Sequence, residues 1–182
     1  MASENLSGKD IVVSATKSAS AIYDAEEAPW FTAELECIGP TGPKWKETVR
    51  RNTVMTVGKA EILNRMFGGK ATSSWYMGLY SSNYATNTSH NLSDLVASEI
   101  TMYGTARPTM TWTTNYASNI TTASSSATYG FTGSCNLSGA FLANISSVAS
   151  TAGVLYSAGG FAATRAVLNG DTLNVTLTLS FT

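Results

Sequence analysis

The sequence predicts a mainly β protein, a jelly-roll or immunoglobulin-like β-sandwich with one short amphipathic helix. The last segment carries the strongest signal. Leu173, Val175, Leu177, Leu179 and Phe181 alternate with Thr172, Asn174, Thr176, Thr178 and Ser180. Successive strand side chains point to opposite sides, so this run has one apolar and one hydroxylated face. The second observation is spacing. After Lys70 the chain is a succession of short apolar runs separated by turn residues, which favours a sandwich or jelly roll over an α/β fold. The third is charge. Nine of the eleven Lys and Arg residues lie at or before Lys70, and beyond it only Asp94, Glu99, Arg107, Arg165 and Asp171 are charged. About a third of residues 71–182 are Ser or Thr. A freely diffusing enzyme normally keeps a charge-studded surface; one built from Ser, Thr, Asn and Gly suits lying against another protein.

With 182 residues the chain suits one domain preceded by an arm, and it is long enough to bury a core without metal or disulfide staples. Residues 1–28 are the arm and 29–182 the sandwich. The arm is too polar to form its own core, yet Ile11, Val12, Val13, Ile22 and Tyr23 are spaced along it. These five are the candidate partner contacts. Ile-Val-Val favours a strand, so the arm is expected to add to an edge of a neighbouring subunit's sheet.

Residues 30–52 read as a hairpin, with strands at 30–38 and 44–52 around Gly39-Pro40-Thr41-Gly42-Pro43. That loop places Glu36 opposite Lys46 and Cys37 opposite Trp45, and opposite charges across a strand pair are worth some tenths of a kcal/mol. The helix is expected over 57–67. Ala60, Leu63, Met66 and Phe67 form a stripe at helical period, Thr53 or Thr56 supplies the N-cap, and Gly68-Gly69 stops the helix. So short a helix needs a sheet or neighbour to cover its stripe. Further strands are expected at 75–80, 100–103, 110–114, 128–132, 140–143, 154–156, 165–168 and 172–181. Residues 81–93 and 115–126 read as long polar loops. Asn169-Gly170 predicts a hairpin turn between the last two strands.

Little in the chain points to chemistry. The charged fraction of 13% is roughly half the usual quarter. A net charge of −1, with Arg50 and Arg51 offset by Glu34, Glu36 and Glu47, argues against a nucleic-acid partner. No apolar run suggests a signal peptide or a membrane span. The seven Asn-x-Ser/Thr sequons reflect Asn, Ser and Thr abundance in a chain made in a cytoplasm. Cys37 and Cys135 are expected as buried free thiols. No spacing resembles a metal site, and His90 is the single histidine. Gly58-Lys59 lacks the upstream glycine of a phosphate loop. Glu34 with Glu36, or Asp94 with Glu99, are weak candidates for paired acids. The expectation is a protein that is not an enzyme and carries no cofactor or metal. One other class stays open. Trp75, Tyr76, Tyr80, Tyr84, Tyr103, Trp112, Tyr116 and Tyr129 could form a sugar-stacking platform, with Trp112 and Tyr116 as the surface aromatics.

The order of segments carries a resemblance. The hairpin is followed by Asn52-Thr53-Val54-Met55-Thr56-Val57-Gly58 running into the helix, then Trp75-Tyr76-Met77-Gly78-Leu79-Tyr80-Ser81-Ser82. Glu99 and Arg107 lead into a strand, Gly133-Ser134-Cys135-Asn136-Leu137-Ser138-Gly139-Ala140-Phe141-Leu142 follows, and Arg165-Ala166-Val167-Leu168-Asn169-Gly170-Asp171-Thr172-Leu173 enters the closing strand. From about Lys44 to the end this resembles small virion structural proteins of tailed bacteriophages. The resemblance implies a capsid decoration (cement) protein, or alternatively a tail or fibre-attachment component. It further implies a homo-oligomer, a trimer being favoured, whose partners are the major capsid protein or neighbouring virion subunits. The family has no catalytic residues to carry over.

Overall fold

The computed structural model describes residues 30–50, 52–69, 74–81, 84–114 and 122–180. The chain forms two five-stranded antiparallel sheets packed as a sandwich. β1 (Trp30–Gly39) and β2 (Gly42–Val49) make the expected hairpin, with Glu36 opposite Lys46 and Cys37 opposite Trp45. The turn is tighter than the five-residue loop read from the sequence, because Gly39 pairs with Gly42. A bulge takes up the slack: Cys37 faces Trp45 while Ile38 faces Pro43. Lys44 is the extra residue, and its ammonium reaches Asp171 at 2.6 Å.

β10 (Thr172–Ser180) lies between β1 and β7 (Thr122–Gly130). Its apolar residues complete rows that point inward: Cys37–Leu173–Tyr129, Leu35–Val175–Ala127 and Ala33–Leu177–Ser125. All nine are buried, and each large side chain in such a row contributes about 1.5–3 kcal/mol. Leu179 and Phe181, expected on the same face, have side chains outside the described residues. β6 (Thr113–Thr114) completes this first sheet, whose order is β2-β1-β10-β7-β6. β7 corrects the far end of the stretch 115–126 read as a loop: residues 122–126 are strand, and 115–121 lie outside the described residues. Its Ala123-Ser124-Ser125-Ser126-Ala127 stretch lacks the β-branched and aromatic residues that favour strands, and pairing along β10 supplies what propensity does not.

The second sheet has the order β3-β9-β8-β4-β5, where β3 is Thr53–Val54, β4 Trp75–Tyr80, β5 Thr109–Met110, β8 Cys135–Ala143 and β9 Leu155–Val167. Four further expectations are corrected here. The segments 154–156 and 165–168 belong to one long strand, β9, in which residues 161–164 bulge out opposite Ser138. Residues 110–114 split between the sheets, Met110 pairing with β4 and Thr113 with β7. Residues 100–103 are not a strand: Ile100 donates its N–H to Leu79, and a turn follows at Met102-Tyr103. Asn169-Gly170 is a turn with Gly170 at φ 86°, but not a hairpin. β9 and β10 lie in different sheets, so this turn carries the chain across the sandwich.

Two helices are described, not one. α1 spans Thr56–Met66 and α2 spans Leu92–Val96, beginning in the last two residues of the stretch 81–93 read as a polar loop. α2 begins with a capping box: Asn91 accepts from the Ser93 N–H, and Asp94 accepts from the Asn91 N–H at 2.8 Å. Its Leu92 and Leu95 join Met55, Tyr80, Phe141, Ala143, Leu155 and Ala158 in a second apolar cluster. That cluster covers the outer side of the second sheet, where the Phe141 ring lies over Gly78 and the Tyr80 ring over Gly139. The outer side of the first sheet has no such cover among the described residues.

α1 departs most from expectation. Neither Thr53 nor Thr56 caps it; Met55 occupies the N-cap without a side-chain bond, and its own N–H donates to Tyr156 O at 2.9 Å. The expected stop holds, with Phe67 as C-cap and Gly69 at φ 67°. The stripe does not face the sheet. Gly58 and Glu61 are buried against it, whereas Leu63, Met66 and Phe67 are 56%, 67% and 79% exposed. Gly58 explains the choice of face. A Cβ there would collide with the backbone of Tyr156 on β9, so only the glycine side can approach so closely.

Candidate interaction surface

Glu99, Arg107 and Asp171, three of the five charged residues beyond Lys70, are enclosed in the fold. Glu99 accepts from Arg107 Nε at 2.7 Å and Nη2 at 2.8 Å, from the Ala149 N–H at 2.8 Å and from Tyr103 OH at 3.3 Å. Both side chains of this ion pair are fully buried. Arg107 also donates to Ile145 O and lies over the Phe141 ring. The pair therefore ties the turn before β5 to the loop between β8 and β9. Glu47 of β2 accepts from Arg165 of β9 at 2.7 Å, and Trp45 Nε1 donates to Ala166 O at 3.0 Å. These two bonds link the sheets along one side of the sandwich. Asp171 accepts from Lys44 Nζ, from the Leu168 N–H at 2.8 Å and from the Cys37 thiol at 3.8 Å. Burial alone would push the Asp171 carboxyl up. The bonds from Lys44 and Leu168, with the Lys44 charge and Cys37, outweigh it and hold the group below the usual carboxylate range. On the other side of that contact, burial and then the Asp171 charge push the Cys37 thiol up to about 11. Cys37 and Cys135 are free thiols, the first buried and the second half-buried.

The candidate chemical residues do not converge. Glu34 and Glu36 line a shallow groove on the outer side of the first sheet with Lys46, Thr48, Asn174 and Thr176, and Glu36 bridges Lys46 at 3.0 Å. Asp94 caps α2 and Glu99 is enclosed, so those two acids serve separate structural ends. His90 Nδ1 lies 3.2 Å from Tyr84 OH, with the rings 5.4 Å apart. Among the described residues no group of three or more His, Cys, Asp and Glu is placed to hold a metal ion, and no helix is long and apolar enough to cross a membrane. Trp112 is half-buried against the main core. Tyr103 stands edge-on to Tyr129 at 4.9 Å, and Trp75 is tilted against Tyr156 at 5.2 Å. Every described aromatic of the imagined platform is buried or half-buried. Tyr116, and the arm residues Ile11, Val12, Val13, Ile22 and Tyr23, lie outside the described residues.

Among the described residues two faces stand out as open to a partner. The first is the outer side of the first sheet. Its cross-strand rows run Thr48–Glu34–Thr176–Ser126, Lys46–Glu36–Asn174–Thr128 and Thr32–Thr178–Ser124. Beyond β1, on β10 and β7, these rows present hydroxyls and one amide, with Thr128 bonded to Asn174 at 3.1 Å. The alternation in β10 made this face legible in the sequence. The second is the apolar stripe of α1, exposed because the opposite face is the one packed. The stripe was legible in the sequence but its exposure was not, although Gly58, Glu61 and Arg65 recur at helical period and mark a face that pairs its own charges. Comparison with protein families, curated proteins and solved structures finds no match to the chain.

Proposed function

We propose that the protein is a structural component of a tailed-bacteriophage virion, a capsid decoration protein that stabilises the shell without chemistry. One observation carries the reading: on the outer side of the first sheet β10 and β7 present Ser, Thr and one Asn and no charge, while the other sheet is covered by its own chain. Depletion of charge is the compositional mark of the centre of a protein interface. A permanent neighbour beneath that face, the major capsid protein or another virion subunit, supplies the partner, and closed symmetry lets one modest contact repeat. Within the sandwich class we read the topology as a jelly-roll variant. Nested pairing of early with late strands (β1 with β10, β3 with β9, β4 with β8, β6 with β7) supports that over the immunoglobulin type.

The test is occupancy of the particle. Purified virions of the phage encoding the chain are imaged by electron cryomicroscopy with wild-type protein and with Ser126→Glu/Thr176→Glu. Wild-type density on the capsid, lost in the folded double variant, is the expected result. Density confined to the tail or fibres moves the protein to the alternative virion role. Absence from the particle overturns the reading.

A further inference from the structure

The exposed stripe of α1 has a size, a position and a chemistry that together name its occupant. We infer that it is the seat of the chain's own apolar run, Ile11-Val12-Val13, bound within the same molecule. Four of the six large hydrophobic residues exposed among those described are on or directly after α1: Val57, Leu63, Met66 and Phe67. Leu63, Met66 and Phe67 lie together on the side opposite Gly58 and Glu61, with Ala60 beside them and Val57 at the flank. A patch of three or four side chains covers a few hundred Å² at most. A stable interface with another protein needs about 800 Å² on each partner. Three consecutive β-branched residues match the smaller figure.

Position agrees with size. Ala33 of β1 is opposite Val49, the last residue of β2. Trp30 therefore emerges at the end of the sandwich from which the chain passes through Asn52 and β3 into α1. Sixteen residues separate Val13 from Trp30, enough to span on the order of 50 Å when extended, and α1 is only about 16 Å long. A tether that reaches its site so easily holds the run at an effective concentration of order millimolar. Chemistry completes the match. Ile11-Val12-Val13 is the one run of three β-branched aliphatic residues in a stretch otherwise too polar to make a core, and the stripe meets it with aliphatic, thioether and aromatic side chains.

The inference stands independently of a virion role. It is tested on the full-length chain by hydrogen exchange read by mass spectrometry, comparing wild type with Ile11→Asp/Val12→Asp/Val13→Asp and with Met66→Asp/Phe67→Asp. The triple variant should raise exchange in the last turn of α1 by roughly tenfold, with β8 and β9 unchanged. The helix variant should reciprocally raise exchange around residues 9–15. Those effects at unchanged far-ultraviolet dichroism establish the contact. Residues 9–15 exchanging at unprotected rates in the wild type overturn it, as does an α1 indifferent to the triple variant. Protection that falls on tenfold dilution assigns the seat to a second copy and overturns the intramolecular form.

Discussion

Glu99 and Arg107 are two of the five charged residues beyond Lys70, and neither side chain touches water. An enclosed ion pair adds little relative to a well-packed apolar substitute, but removing one partner leaves a bare charge in a low-dielectric interior, at about 3–5 kcal/mol. Arg107→Ala should therefore lower the free energy of unfolding by that amount in urea titrations. Lys46→Ala, which breaks the exposed bridge to Glu36, should change it by less than about 1 kcal/mol. Asp171 makes a prediction in pH. Its carboxyl is held below the usual range in the folded state. The stability it contributes is thus complete above the unfolded value of about 4 and is lost as pH falls through the folded one. Asp171→Asn should flatten the acid limb of a plot of melting temperature against pH and leave the neutral limb parallel to wild type. The Asp171 pairing could not be read from sequence, since it depends on the bulge that turns Lys44 inward.

Among the elements, α1 decides most about what the surface offers. Alanine is normally the better helix residue by about 1 kcal/mol over glycine. At position 58 the sign reverses, because a Cβ would strike the Tyr156 backbone on β9. Gly58→Ala should lower the melting temperature measured by circular dichroism, despite the gain in propensity; an unchanged or higher value would mean that α1 packs on the sheet by another face. β10 makes a cleaner case. Leu177 is buried between Ala33 and Ser125, while Thr176 on the same strand is exposed. Leu177→Asp should yield no soluble folded protein, since it puts a charge where about 1.5–3 kcal/mol of apolar burial was. Thr176→Asp should leave solubility and dichroism unchanged. A folded Leu177→Asp would place the strand one residue out of register.

At the scale of the molecule, the pairing is nested and distant. Trp30 faces Ser180 across the β1–β10 ladder, and β10 joins the hairpin to β7. Such non-local pairing slows folding, because loop-closure entropy is lost before the contacts offset it. Between the sheets, Glu47 and Trp45 bond to β9 across one side of the sandwich, so the hairpin is a wall of the body and not an appendage.

The sequence by itself determined what depends on short range. Alternation specified the buried and hydroxylated faces of β10, turn residues and opposite charges set the register of the first hairpin, and two glycines ended α1. The tertiary structure decided what depends on choice of neighbour. Helical period marks a stripe but not which side meets the sheet, and close approach at Gly58 outweighed the apolar stripe. Asn-Gly marks a turn but not a hairpin, and the strands it joins found partners in opposite sheets. The small residues Ala123 to Ala127 of β7 have little strand preference of their own; a ladder along β10 made them a strand. In each case a local pattern was compatible with more than one partner, and packing across the whole chain selected among them.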